Sequence, residues 1–431
     1  MKKDFRIRSA EILCVGNEVL VGDVVNTNAA FLSRMLQEMG IAHFHQEVVS
    51  DDGEEVSRYL SQAFGRTDLV IMTGGLGPTY DDLTKESVAA LFGKKLVLHQ
   101  PSLDRIASYF RDRRIPMTDN NRKQALMPEG CTVLPNDVGT APGMAIEDEE
   151  RGKIAILLPG PPREMRPMFL EKAVPYLKQY LSSVFLTRNV NLFGMGESKV
   201  AMILDDLMHS TNPSVATYVT EGEVRIRISA KGNNEEECET LCEKALAAIR
   251  ESEVGQYIYG YDTDLETALV SLLKDNHLKV ASAESCTGGM VSQLITSVPG
   301  SSEVFDGGIV SYANEIKSRL LGVSEKTLAE KGAVSPETAM EMAEGVRKLM
   351  RADVAVSLSG IAGPGGGTEE KPVGLVFLGV STEKGSYAKE LRIRNNGRDY
   401  IRICASKNAL CAALTEAKRL SESGKGKQKN D

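Results

Sequence analysis

Asp68-Leu69-Val70-Ile71-Met72-Thr73-Gly74-Gly75-Leu76-Gly77-Pro78-Thr79-Tyr80-Asp81-Asp82 decides how the first half of the chain folds. The apolar run Asp68 to Thr73 reads as a strand, and it feeds Gly-Gly-x-Gly with a helix starting near Asp82-Leu83-Thr84. The same alternation stands upstream. Ala10 to Gly16 reads as a buried strand, Ala29 to Met39 as an amphipathic helix ended by Gly40, Ile41 to Val49 as a strand and Glu54 to Phe64 as a helix. Strands alternating with helices specify a doubly wound, mostly parallel α/β sheet. Ligands in such sheets sit at the carboxyl ends of strands. The polar clusters Gly22–Asn28, Ser50-Asp51-Asp52 and Thr73–Asp82 fall there. Glycines before a helix start make a phosphate cradle. Asp81 and Asp82 suit a hard divalent cation bridging to that phosphate, or one of them caps the helix. No Gly-Lys-Ser/Thr follows, and the glycine spacing is wrong for a dinucleotide fingerprint.

At 431 residues the chain needs more than one core. Apolar content of 42% and charged content of 26% describe a soluble globular mix. A net charge of −8 disfavours non-specific nucleic-acid binding. No apolar run reaches membrane-spanning length and no secretory signal is visible. The seven cysteines form no Cys-x-x-Cys pair, which argues for reduced thiols in a cytoplasmic protein and against a zinc site.

Four segments follow from the pass along the chain: residues 1–170, 171–258, 259–418 and a polar, disordered tail 419–431. In the second, Val184 to Phe193 reads as a strand and Gly194 to Met208 as a turn and helix. Val215 to Val219, Glu223 to Ala230 and the charged helix Glu235 to Ile249 complete a small open α+β domain like a KH module. KH modules bind RNA through Gly-x-x-Gly. This segment offers Gly194-x-Gly196 beside Glu197, Asp205 and Asp206, a poor phosphate surface, so a spacer or homodimerisation role is expected and no nucleic acid.

In the third segment Leu278 to Ala281 reads as a strand and Met290 to Ile295 as helix. Between them lie Glu284-Ser285-Cys286-Thr287-Gly288-Gly289, an acid, two hydroxyls and a thiol at a helix start whose N–H groups can hold an anion or oxyanion. Further strands are Gly307 to Tyr312, Ala352 to Ser359 and Gly374 to Val380. A helix begins at Ala313-Asn314-Glu315-Ile316-Lys317, and the last helix starts at Asn395-Asn396-Gly397-Arg398-Asp399. A serine nucleophile needs a base. No histidine occurs after His277, which argues against a Ser-His-Asp triad inside this domain and makes a Ser-Lys pair the alternative. Lys317 is the best-placed lysine, although as an isolated helix residue it also reads as solvated. Cys286 competes as nucleophile, but without a histidine partner its thiol stays protonated near neutrality.

Two sets of motifs carry a resemblance. Thr-Gly-Gly-Leu-Gly-Pro-Thr-x-Asp-Asp, Gly139-Thr140-Ala141-Pro142-Gly143 and Leu158-Pro159-Gly160-Pro161-Pro162 look like the N-terminal domain of the CinA family, itself similar to molybdopterin-binding domains. Ala283-Glu284-Ser285-Cys286-Thr287-Gly288-Gly289, Ser311-Tyr312-Ala313-Asn314-Glu315-Ile316-Lys317 and Ser359-Gly360-Ile361-Ala362-Gly363-Pro364-Gly365-Gly366-Gly367 look like its C-terminal, nicotinamide-nucleotide amidase domain. The resemblance implies deamidation of nicotinamide mononucleotide and metal-dependent cleavage of ADP-ribose. It implies Ser285 as nucleophile, Lys317 as base and Tyr312 assisting proton transfer, with Glu284, Thr287, Gly288, Ser359, Gly360, Asn395 and Arg398 toward the substrate. For the first domain it implies Asn26, Gly74, Gly75, Gly77 and Asp81 toward the nucleotide, and Asp82 and Asp51 as ligands of a divalent cation (Mg, Mn or Co), with no cofactor for the amidase. The rival expectation is a non-enzymatic, molybdopterin-type binding protein that recruits partners in DNA uptake or repair.

Overall fold

The computed structural model describes residues 5–181, 183–220 and 222–425. It divides into a first unit, residues up to 186 with 229–241, and a second, 187–228 with 242 onward.

The first unit carries β1 (Ser9–Val15), β2 (Ala42–Val49), β3 (Leu69–Thr73), β4 (Leu96–Leu98), β5 (Leu126–Pro128), β6 (Thr132–Leu134), β7 (Gly143–Asp148) and β8 (Lys153–Leu158). The main sheet has the order β2-β1-β3-β8-β7-β6. Its first four strands are parallel, and β7 and β6 close it antiparallel. β1 and β3 are buried on both faces, which is why they read as unbroken apolar runs rather than alternations. Ile12 and Ile71 join Leu32 and Leu36 of the helix Thr27–Glu38 in one core. Leu13, Val70 and Met72 join Val56 and Leu60 of the helix Gly53–Arg66 in the other. β4 and β5 form a separate antiparallel ribbon. The helical stretch from Pro162 runs on to Lys178, and Ala173, Leu177 and Tyr180 pack into the first core. A boundary at residue 170 therefore cuts a packed helix.

The middle sheet has β9 (Val184–Phe193), β10 (Ser214–Thr220), β11 (Glu223–Gly232) and β12 (Ile258–Tyr261) in the order β10-β11-β9-β12. The single helix expected to end at Met208 is two, Glu197–Ile203 and Asp205–Met208, because buried Leu204 leaves helical geometry (φ −101, ψ 17).

The remainder of the second unit is α/β. β13 (Val280–Glu284), β14 (Phe305–Val310), β15 (Val354–Gly360), β16 (Leu375–Thr382) and β17 (Gly385–Arg392) lie in the order β14-β13-β15-β16-β17. The first three are parallel and the last two antiparallel. The last helix, Arg398–Lys425, buries Ile401, Ala405, Ala409 and Leu410 in this core. It continues past residue 418: Leu420 packs on the same core, and Lys384 Nζ donates to Ser423 Oγ at 2.9 Å. Residues 419–425 thus belong to the helix, and the tail expected over 426–431 falls outside the described residues. Among the described residues no helix is long and apolar enough to cross a membrane.

Candidate functional site

In the second unit β13 and β14 end level, Glu284 pairing with Val310 on one side and with Leu358 of β15, which runs on to Gly360, on the other. Ser285 follows immediately, its N–H donating to Leu358 O at 2.9 Å. The chain then enters the helix Met290–Thr296 through Gly288 (φ 63) and Gly289 (φ 97), left-handed positions that favour glycine. Glu284 is 1% exposed. Its Oε2 accepts the N–H groups of Gly289 and Val291, both at 3.0 Å, and its Oε1 accepts the N–H and O–H of Ser292, both at 2.9 Å. A carboxylate at the strand end therefore satisfies helix-start amides that the sequence reading left free for an anion. Glu284 is a clamp for the nucleophile turn rather than a substrate contact.

Lys317 rises from the helix Asn314–Leu321 and is 1% exposed, which removes the solvated reading. Its Nζ donates to Ser311 O at 2.6 Å and Tyr312 O at 3.2 Å, and lies 3.2 Å from Ser285 Oγ. Burial lowers its pKa from the ordinary lysine value, since the charged form loses solvent; nearby Cys286 acts weakly the other way. Cys286 itself is buried, and loss of solvent pushes its thiol up to about 11. Tyr312 meets Lys317 through its carbonyl. Its ring is 65% exposed, because the buried Ser311 before it takes the inward position.

Thr287 is fully buried, and its Oγ1 has no hydrogen-bond partner among the described residues. No backbone carbonyl accepts the amides of Cys286 and Thr287 among those residues either. Donors of this kind beside a serine are what an oxyanion would require. Ser359 is committed elsewhere, donating to Ala333 O, and Gly360 serves packing: a Cβ there would lie 2.6 Å from Leu375 O. Asn395 is exposed, its Oδ1 accepting from Gly397 N at 3.4 Å. Arg398 Nη1 donates to Gly363 O at 2.7 Å and ties the glycine-rich loop to the last helix. Arg402, one turn on, reaches the nucleophile turn, its Nη2 donating to Thr287 O at 2.9 Å. Ser311 stands in the motif quoted for the site but has no expected role there, and Arg402 is not among the expected site residues. Arg402 stands 115 positions from Thr287 and meets it only through the packing of the last helix.

The first unit presents a cleft of about 380 Å³ lined by Glu18, Asp51, Gly74, Gly75, Gly77, Asp81 and Asp82. Its glycines are required by space. A Cβ on Gly74 (φ 98) would lie 2.0 Å from Val15 O, one on Gly75 (φ 65) 2.0 Å from Thr84 Oγ1, and one on Gly77 2.4 Å from Asp82 Oδ2. Neither Asp81 nor Asp82 caps the helix Thr84–Leu91. Asp82 Oδ2 instead accepts the N–H of Thr79 at 2.9 Å and its hydroxyl, closing the loop. Asp52 caps its own helix by accepting from Glu54 N and Glu55 N, which leaves Asp51 to the cleft. Burial raises the Asp51 pKa, and the charges of Glu18, Asp81 and Asp82 add to that, while the amide of Asn17 opposes it. Asn26 is a helix cap, accepting from Ala29 N at 3.0 Å, and not a cleft residue.

Among the described residues no three His, Cys, Asp or Glu side chains gather into a self-sufficient metal site. The donors nevertheless fit a cation shared with phosphate: carboxylates crowd one cleft, and Thr84 Oγ1, buried and without a partner among the described residues, stands beside Gly75. Glu18 is the carboxylate the sequence reading missed.

Three family descriptions match consecutive stretches: a probable molybdopterin binding domain over residues 11–179, a damage-inducible protein CinA KH domain over 187–260, and a CinA C-terminal domain over 262–417. A CinA-like protein of Dictyoglomus turgidum is 48% identical over 402 residues, covering 93% of this chain and 97% of its own. The chain belongs to the CinA family. A putative competence-damage inducible protein of Acetivibrio thermocellus is 47% identical over 405 residues, again covering 93% of this chain and 97% of its own. The crystal structure of competence/damage inducible protein CihA from Agrobacterium tumefaciens is 43% identical, covering 35% of this chain and 93% of that one, with a TM-score of 0.34.

Proposed function

We propose that this CinA-family chain is a two-activity hydrolase. The C-terminal domain deamidates nicotinamide mononucleotide to nicotinic acid mononucleotide and ammonia. The N-terminal domain cuts ADP-ribose into AMP and ribose 5-phosphate with a divalent cation. The observation that carries the first is Lys317 Nζ, buried and 3.2 Å from Ser285 Oγ. A neutral lysine has two N–H donors and one lone pair. The donors go to Ser311 O and Tyr312 O, which leaves the lone pair for the Ser285 O–H. Lys317 takes that proton as Ser285 Oγ bonds to the carboxamide carbon. The C–N bond then breaks, and the leaving nitrogen departs as ammonia with the proton returned by Lys317. Water, deprotonated by the same amine, attacks the acyl-serine and releases the carboxylate and the free hydroxyl. Thr287 Oγ1 and the amides of Cys286 and Thr287 receive the oxyanion.

In the first unit Asp51 and Asp82 would hold the cation together with phosphate oxygens of the substrate, with Gly74 and Gly75 letting the diphosphate reach the backbone. When bound, the cation neutralises phosphate charge and polarises the attacking water. A homodimer joined by the middle domain completes the reading. Purified chain incubated with each nucleotide tests it. Ammonia from the first that disappears in Ser285→Ala, and AMP from the second that disappears in excess chelator, are expected. Absence of both products from the wild type would sink the enzyme reading in favour of a binding protein.

A further inference from the structure

The first unit contains a second cavity, of about 480 Å³, that the diphosphate cleft does not use. Apolar Val97, Leu98, Ile106, Met127 and Val133 line it, with His99 at its polar side. His99 Nδ1 lies 2.8 Å from Ser102 Oγ, which fixes the ring, and Nε2 has no partner among the described residues. Ser102, Arg105, Asn136 and Thr140 add polar groups to these apolar walls, and an apolar lining with a few placed polar groups is what a flat heteroaromatic base requires.

Two observations join this cavity to the cleft. Thr140 lines both. The segment that supplies Gln124 to the cleft supplies Met127 to the cavity three residues later. The turn from Asn136 to Ala141, which contributes to both linings, is tied down by hydrogen bonds. Asn136, 4% exposed, accepts from the amides of Val138 and Gly139 at 3.0 and 2.7 Å and donates to Ala141 O and Glu164 Oε2, both at 2.8 Å.

Size points the same way. Pockets that enclose drug-sized ligands run to roughly 300–1,000 Å³. A cleft of about 380 Å³ is at the bottom of that range, and a diphosphate carrying two ribose rings and a purine overfills it. We propose that the purine of the substrate crosses the Thr140 wall and seats in the second cavity, while the diphosphate stays over Gly74–Gly77. This rests on the ADP-ribose reading above. It makes the cavity the element that distinguishes an adenosine-bearing diphosphate from a simple sugar phosphate.

Leu98→Trp tests it, because Leu98 is 37% exposed on the short strand β4, where an indole can be accommodated while filling the cavity mouth. The KM for ADP-ribose should rise about tenfold or more, the equivalent of losing roughly 1.4 kcal/mol of base contact, with kcat little changed. Inhibition by AMP should weaken in parallel and inhibition by ribose 5-phosphate should not. Equal weakening of both inhibitors, or of neither, overturns the proposal while leaving the cleavage reading standing. In the unmodified protein, photolabelling with 8-azido-AMP should mark peptides containing Val97–His99 or Met127–Val133. Label confined to other peptides also overturns it. A wild type that labels there but never cleaves ADP-ribose would overturn the cleavage reading and keep the base site.

Discussion

Replacing Lys317 by methionine keeps the length of the side chain and removes the amine. The structure makes this one substitution answer two independent measurements. Burial lowers the Lys317 pKa from 10.5, so between its folded value and 10.5 the unfolded chain binds a proton that the folded chain does not. Stability of the wild type therefore rises with pH across that window, and the cost of holding the charge is fully present below it. Each unit of lowering corresponds to about 1.4 kcal/mol. The same folded value sets the acid limb of kcat/KM for ammonia release, because only the neutral amine can accept the Ser285 proton. The wild type and Lys317→Met should thus differ in their urea-unfolding free energies by an amount that shrinks as pH rises from below the folded value toward 10.5, by about 1.4 kcal/mol for each unit separating the kinetic pKa from 10.5. Activity of the variant should fall by about 10² to 10⁴ or more, and adding Ser285→Ala should cost little further. An acid limb at the ordinary lysine value, or parallel stability profiles for the two proteins, would show that Lys317 is not the base.

Four further outcomes follow from the same geometry. Cys286→Ala should retain most ammonia release, and iodoacetamide near neutral pH should leave the wild type active, because the buried thiol is held up near 11; loss of activity in both would make Cys286 the nucleophile. Asp51 has a raised pKa, so cation binding should weaken as pH falls through that value and should release protons, read by titration calorimetry in two buffers of different ionisation heat; buffer-independent heats would count against it as a ligand. Asp82→Asn and Gly77→Ala should both abolish AMP release while sparing ammonia release, since each disturbs the Asp82 carboxylate that closes the loop on Thr79. The middle domain should show no salt-dependent RNA binding; a linear log-log salt slope reporting several phosphates would contradict that.

Much of the frame was legible because strand burial leaves a continuous apolar signature. Leu69–Thr73 and Val354–Gly360 were read within a residue or two. Short β4, β5 and β6 were not, since three residues carry no period. β13 runs three residues beyond the expected end because Ser282 and Glu284, polar by letter, are buried by their hydrogen bonds. At the site, the Ser285–Lys317 pairing was legible from residue types and the lack of histidine, and the two groups do meet. What failed was local role. Glu284, Asn26 and Ser359 all look like ligand contacts in a motif, yet each spends its oxygen on the backbone. Sequence shows which polar groups gather at a strand end; only coordinates show which of them the fold has already used.

Glu284 has a consequence for selectivity. A helix start draws free anions because its amides are unmet, and here the protein has installed its own anion in that seat. Inorganic phosphate or sulfate finds no vacancy at the amides of Gly289, Val291 and Ser292, so the helix start is insulated from the ionic composition of its surroundings. On the reading proposed above, the phosphate of the substrate must then be held by a different element, and Arg398 and Arg402 of the last helix, tied to the glycine-rich loop and to the nucleophile turn, are the candidates. The two pieces are not independent, because Arg402 also holds Thr287 O, and a substitution at that arginine reaches the nucleophile turn as well.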